Sequence, residues 1–167
     1  MFGFGKKKAA AEAPATDIFV APVAGEYLPL AEVSDPVFSQ GMMGDGYAVK
    51  PTAGTVVAPV AGTVALIQDT MHAFMLRSEN GAEVLVHIGI DTVELGGEGF
   101  TRLANVGDVV EAGAPIIEVN WDEVAPKVPS TETMVMITNT PKFNISKDSD
   151  ARRTVAAGER VAEASKK

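Results

Sequence analysis

A chain of 167 residues is long enough for one domain with a real core and too short for two ordinary ones. Its 46% hydrophobic content is that of a globular protein, and no run approaches the length that crosses a bilayer. The absence of cysteine excludes disulfide scaffolds, thiol nucleophiles and cysteine zinc sites. A net charge of −8 argues against nucleic acid as the main partner and suits basic proteins.

The opening MFGFGKKKAAAEAPA places its lysines after a short apolar start, the reverse of a secretory signal. Phe2 and Phe4 are too few for a membrane helix, so residues 1–16 are expected to form a flexible tail, with a weak membrane tether as the lesser reading. One domain is expected over 17–164, with 165–167 as a second tail.

From Asp17 onward, short β-branched runs alternate with proline and glycine breakers, the pattern of an all-β domain. The runs predict strands over Ile18–Val20, Gly46–Lys50, Thr55–Ala58, Gly62–Gln68, Ala73–Ser78, Glu83–Ile88, Ile116–Val119 and Met134–Thr138. Turns are predicted at Pro22–Gly25, Gly44–Gly46, Glu79–Gly81 and Asn105–Asp108. Asn80-Gly81 is the clearest hairpin signal. One helical turn is expected near Trp121–Ala125, capped by Asn120 and followed by Asp122 and Glu123. The last strand, Arg160–Ala164, is polar and weakly patterned, so its pairing cannot be read.

Ala21-Pro22-Val23-Ala24-Gly25 recurs letter for letter as Ala58-Pro59-Val60-Ala61-Gly62. The stretch Val106–Gly113 has a looser partner in Val155–Val161. Each echo precedes an apolar run, which points to a duplicated β motif in an antiparallel sandwich or flattened barrel with only short helical turns.

His72 and His87 are the only histidines, and they flank the predicted hairpin. A two-residue Asn80-Gly81 turn sets His72 at the start of one strand, nearly opposite Ile88 or Gly89 and about two residues out of step with His87. Such diagonal neighbours lie about 7–8 Å apart. Two imidazoles therefore converge beside Gly89, Asp91 and Thr92. A neutral imidazole attacks a phosphoryl group without a separate base, and a second imidazole and the Thr70 hydroxyl can donate to the arriving oxygens. No lysine or arginine adjoins His87 in sequence, which suits a carrier that must release its cargo.

The run His87-Ile88-Gly89-Ile90-Asp91-Thr92-Val93-Glu94-Leu95, followed by Gly97-Glu98-Gly99-Phe100, resembles the active-site segment of the glucose-type enzyme IIA of the bacterial sugar phosphotransferase system. His72-Ala73-Phe74 takes the place of that family's second histidine. Ser34-Asp35-Pro36-Val37-Phe38, Gly44-Asp45-Gly46, Ala58-Pro59-Val60 and Gly107-Asp108 extend the likeness from about Asp17 to the end. The resemblance implies a β-sandwich of the duplicated hybrid motif and a cytoplasmic, monomeric phosphotransferase component. It implies that His87 takes the phosphoryl group from the phosphohistidine of HPr and hands it to a cysteine on the IIB domain of a membrane sugar permease. His72 would stabilise the group, with Thr70 holding its ring. Val37, Phe38, Met42, Met43, Leu85 and Val93 would form an apolar depression, and Asp35 and Asp91 would meet basic partner residues. Regulatory binding by the unphosphorylated form is also implied, and no cofactor is required. The sequence departs from relatives at Gln68, where some place an aromatic, and at Met42 and Met43, where branched aliphatics are usual.

Two other classes compete. A zinc hydrolase of a related duplicated fold would use His72 and His87, but a catalytic zinc usually takes three protein ligands, and no third histidine exists. A zinc ion shared with a partner's carboxylate through the same two histidines is the milder form of this reading. A lipoyl or biotinyl module would need an exposed lysine at a hairpin tip, whereas Lys50, Lys127 and Lys142 each adjoin proline.

Overall fold

The computed structural model describes residues 16–167. The first strands are β1 (Thr16–Val20), β2 (Gly25–Pro29), β3 (Asp45–Pro51), β4 (Thr55–Val57) and β5 (Gly62–Ile67), with the single-turn helix α1 (Pro36–Ser39) between β2 and β3. The central hairpin is β6 (Ala73–Ser78) and β7 (Glu83–Ile90). Then come β8 (Phe100–Arg102), β9 (Val109–Val110), β10 (Pro115–Val119), the short α2 (Trp121–Val124) and β11 (Ser130–Ile137). The chain ends with β12 (Phe143–Lys147), β13 (Arg153–Val155) and β14 (Arg160–Lys166).

All pairings are antiparallel. An eight-stranded sheet has the order β13-β2-β3-β11-β7-β6-β5-β9, and two three-stranded sheets run β1-β14-β12 and β4-β10-β8. Between them lies a core that includes Phe19, Tyr27, Phe74, Leu76, Ile88, Ile116 and Ile117, all at most 1% exposed. A smaller cluster of Leu28, Leu30, Val33, Phe38, Ala48, Ile90, Met134 and Met136 fills the other face of the large sheet, beneath α1.

The two Ala-Pro-Val-Ala-Gly words meet each other. Val20 N–H donates to the Pro59 carbonyl at 2.8 Å, and Val57 N–H donates to the Pro22 carbonyl at 2.7 Å. Ala21 N–H donates to Glu159 as Ala58 N–H does to Ala114, and Gly158 N–H donates to Ala21 as Gly113 N–H does to Ala58. Each word ends in a glycine that starts a strand, and a Cβ at Gly25 or Gly62 would fall 2.0 or 2.2 Å from a carbonyl of the neighbouring strand. The repetition is therefore structural: two equivalent crossings, each needing a residue with no side chain.

Two expectations about the ends change. Thr16 belongs to β1, and Ser165 and Lys166 belong to β14, so the last strand outruns its predicted limit at Ala164. β14 lies between β1 and β12, and its buried Val161, Ala162 and Ala164 explain why so polar a segment pairs. The tail expected over 1–16 otherwise falls outside the described residues, as does the tether through Phe2 and Phe4. The helical turn after Asn120 forms as read, with the Asn120 side chain accepting from Glu123 N–H at 3.3 Å.

The hairpin turn also differs. Ala73 faces His87 and Arg77 faces Glu83, a register that leaves a three-residue loop of Glu79, Asn80 and Gly81 between Ser78 and Ala82. Gly81 carries the positive φ of 88° that such loops place at their third position. Asn80 is used instead to hold β1: its amide donates to Asp17 at 3.1 Å, while Ser78 Oγ donates to the same carboxylate at 2.6 Å.

Candidate functional site

β7 carries His87 at the middle of the large sheet, between Ala73 on β6 and Met134 on β11. Residues directly opposite share a face, so His87 projects with Ala73, Met75, Leu85, Met134 and Met136 away from the main core. Phe38, held by α1, packs against it with ring centroids 4.9 Å apart. α1 is positioned by its own cap: the Asp35 carboxylate accepts from Val37 N–H at 2.9 Å, and Pro36 occupies the first helical turn.

The His87 ring is oriented from behind. Its Nδ1–H donates to the Gly89 carbonyl at 2.8 Å. A carbonyl only accepts, so the proton of the neutral ring sits on Nδ1 and the lone pair on Nε2. Gly89 turns its carbonyl back through a φ of 72°, and a Cβ there would lie 2.6 Å from Thr92 Cγ2. Thr92, fully buried, closes this turn by donating to the Ile88 carbonyl at 2.5 Å.

His72 reaches the same place by a different route. It lies just before β6, not within it, and only its carbonyl stays in the ladder, accepting from Ile88 N–H at 2.7 Å. Its ring stands edge-on to that of His87, with centroids 5.1 Å apart and planes at 78°. Thr70 Oγ1 and His72 Nδ1 share a hydrogen bond of 2.5 Å. A hydroxyl donating to Nδ1 leaves Nε2–H as a donor. His72 is 9% exposed.

Both imidazoles are held below their ordinary pKa. For His87 the first cause is burial, opposed by the Gly89 hydrogen bond and by the carboxylates of Asp35 and Asp91. For His72 it is again burial, reinforced by the neighbouring His87. At neutral pH both rings are therefore uncharged, one presenting a lone pair.

The expected apolar depression forms in part. Val37 is 46% and Val93 48% exposed, Leu85 is half-buried against the cluster beneath α1, and Phe38 is buried against His87. Met43 stays partly exposed in the turn after α1. Met42, 70% exposed, lines a separate hollow with Gly41, Thr138 and Thr140. The structure adds two apolar residues that the sequence reading missed. Leu66 faces Met75, which faces Leu85, so an apolar row crosses β5, β6 and β7 beside His87. A bulge at Ala65 turns Leu66 outward, and alternation alone cannot reveal it.

Among the described residues, no group of three or more His, Cys, Asp or Glu is placed to hold a metal ion. No helix among them is long and apolar enough to cross a membrane.

Residues 17–143 match the family model of the phosphoenolpyruvate-dependent sugar phosphotransferase system, EIIA 1. The chain is 49% identical over 121 residues to the PTS system glucose-specific EIIA component of Oceanobacillus iheyensis, covering 72% of this chain and 73% of that one. It is 44% identical over 137 residues to the component of the same name from Staphylococcus aureus, covering 82% and 81%. The solved structure of glucose permease IIA from Mycoplasma capricolum superposes with a TM-score of 0.82 at 34% identity, covering 98% of this chain and 99% of that one.

Proposed function

The chain belongs to the EIIA 1 family of the phosphoenolpyruvate-dependent sugar phosphotransferase system, and from that premise we propose that Nε2 of His87 carries the phosphoryl group. The observation that carries this reading is the Nδ1–H bond to Gly89, which fixes the lone pair on the nitrogen that is not tied to the backbone. In the first step the N–P bond of phosphohistidine on HPr breaks as a bond from phosphorus to Nε2 forms; the donor ring, protonated on its other nitrogen, leaves as neutral imidazole, and the phosphorylated His87 ring keeps its Nδ1–H on Gly89. In the second, a cysteine thiolate on the IIB domain of a glucose-type permease attacks phosphorus, and His87 returns to its starting tautomer. Both steps belong to the cytosolic side of transport.

His72 contributes a neutral N–H to the phosphoryl oxygens, oriented through Thr70. The charges acting on His87 are the carboxylates of Asp35 and Asp91, which weaken the hold on a dianionic group while attracting basic partners. Val37, Phe38, Leu85 and Val93 exclude water from the reactive N–P bond in each complex. A phosphoryl dianion among these side chains would also disrupt any contact the unphosphorylated face makes with regulatory proteins, and equal affinity of both forms for such proteins would end that part of the reading.

A zinc ion shared with a partner fits the chain only as two ligands. Both rings have Nδ1 engaged, to Thr70 and Gly89, leaving the two Nε2 atoms as donors. The remaining ligands would come from the partner. Partner-binding titrations with and without chelator test this, and indifference to chelator counts against it.

Incubation with phosphoenolpyruvate, enzyme I and HPr should add one acid-labile phosphate to the chain. Subsequent addition of a glucose permease and its sugar should remove that phosphate. A phosphate that forms but resists the permease would contradict the acceptor assignment.

A further inference from the structure

We infer that Met71 is a positioning residue for His72: its left-handed backbone, pinned by its own thioether against Gly97, turns the His72 ring onto the face of His87.

Strict alternation along β6 would place His72 with Phe74 and Leu76, whose side chains lie in the main core. His87 belongs to the opposite face, with Ala73 directly across from it. The two imidazoles are adjacent only because the chain leaves the ladder at His72. The residue that makes this possible is Met71, with a φ of 59°. It closes a tight turn in which Met71 N–H donates to the Gln68 carbonyl at 2.8 Å and Gln68 N–H donates to the Ala73 carbonyl at 3.0 Å.

Met71 and Asp91 are the only non-glycine residues with positive φ among the described residues, and each adjoins a histidine segment. Aspartate visits that region readily, but methionine does not. The left-handed backbone disfavours an unpinned L-residue by a conformer ratio of about tenfold. Something must offset this, and the side chain shows what. Met71 is partly buried against the main core. A Cβ at Gly97 would lie 3.2 Å from Met71 Cε, and 3.8 and 3.9 Å from the Thr70 and Asp69 carbonyls. The loop around Gly97 therefore lies on the 69–71 turn, and the thioether sits where any side chain at 97 would go. Thr70 then aligns the ring that Met71 has turned.

The catalytic meaning of His72 rests on the phosphoryl relay proposed above, but the placement of its ring does not. The test compares Met71→Ala with Met71→Gly by imidazole NMR, reading the cross-peak between the rings and the titration of His72. Phosphoryl transfer from HPr is measured in parallel. Alanine removes the pin and keeps the penalty on positive φ, whereas glycine removes both. The expected order is therefore inverted from ordinary conservatism. Met71→Ala should lose most of the inter-ring cross-peak, and its His72 titration should move back toward 6.5. Its kcat should fall about tenfold with KM little changed. Met71→Gly should recover much of the cross-peak and of the rate. Thermal melting identifies any variant that fails to fold, and Met71→Asn, which tolerates the left-handed region, replaces a glycine variant that does so. Wild-type spectra in Met71→Ala, or a glycine or asparagine variant as damaged as the alanine one, would overturn the inference. Absence of transfer in the wild type, with the predicted spectra intact, would instead count against the relay.

Discussion

Ala73, and not His72, stands directly across the ladder from His87. The small methyl group, buried beside the imidazole, leaves the space into which His72 turns from outside the strand. Ala73→Leu should therefore crowd both rings. Displacing a catalytic group by about 1 Å costs about 10²-fold in rate, so kcat should fall on that scale with KM little altered. Steady-state transfer from HPr checks this, and a rate within twofold of wild type would show that the space is not needed.

The convergence of the two histidines was legible in the sequence, but its geometry was not. Asn80-Gly81 correctly marked the hairpin, yet the serine before it and the acid at Asp17 recruit Asn80 into a wider loop, shifting the register by one residue. Such a shift exchanges the faces of a strand, so His87 and Phe38 could be placed together only by resemblance. The duplicated Ala-Pro-Val-Ala-Gly words announced the symmetric crossings because glycine is required at each. β2, β8, β9, β12 and β13 were not legible; β8, β9 and β13 are only two or three residues long, and β9 and β13 pair with the sequence-distant β5 and β2. Leu66 and Met71 depend on a bulge and a left-handed turn that no periodicity encodes.

Burial sets the pH dependence. Because burial holds the folded-state pKa of His87 below its ordinary value, its neutral form predominates at pH 7 and still does so at 6.5, the ordinary midpoint. Phosphoryl acceptance should fall to half its high-pH level only below pH 6.5, as the pH passes through the lower folded value. Asp91→Asn removes a carboxylate that raises this value and should move the midpoint further down. The unfolded chain binds more protons than the native one below about 6.5, so stability contributed by both rings is full above that pH and declines as the pH falls through the folded values. A rate profile with its midpoint at or above 6.5 would contradict this.

Thr70→Val removes the only side-chain hydrogen bond to His72 Nδ1 shown in the structure. An unpaired nitrogen and a freer ring should lower kcat by about threefold to tenfold, corresponding to about 1 kcal/mol. Thr70→Ser should restore most of the rate, and equal rates in all three proteins would remove Thr70 from the mechanism.

Asp35 has two tasks that one substitution separates. Asp35→Asn keeps an oxygen to cap Val37 N–H and removes the charge. Thermal stability should change by no more than about 0.5 kcal/mol, while KM for HPr rises and its dependence on salt flattens. Unchanged KM at low salt would exclude Asp35 from steering. Val37→Asp, by contrast, should raise KM at every ionic strength, because it places a charge on the exposed apolar rim.

The most direct test is the intact mass of wild type, His87→Ala and His72→Ala after incubation with phosphoenolpyruvate, enzyme I and HPr. One acid-labile phosphate on wild type and on His72→Ala, and none on His87→Ala, is the predicted result. Phosphate retained by His87→Ala, or absent from wild type with competent donors, would contradict the assignment of His87 as carrier.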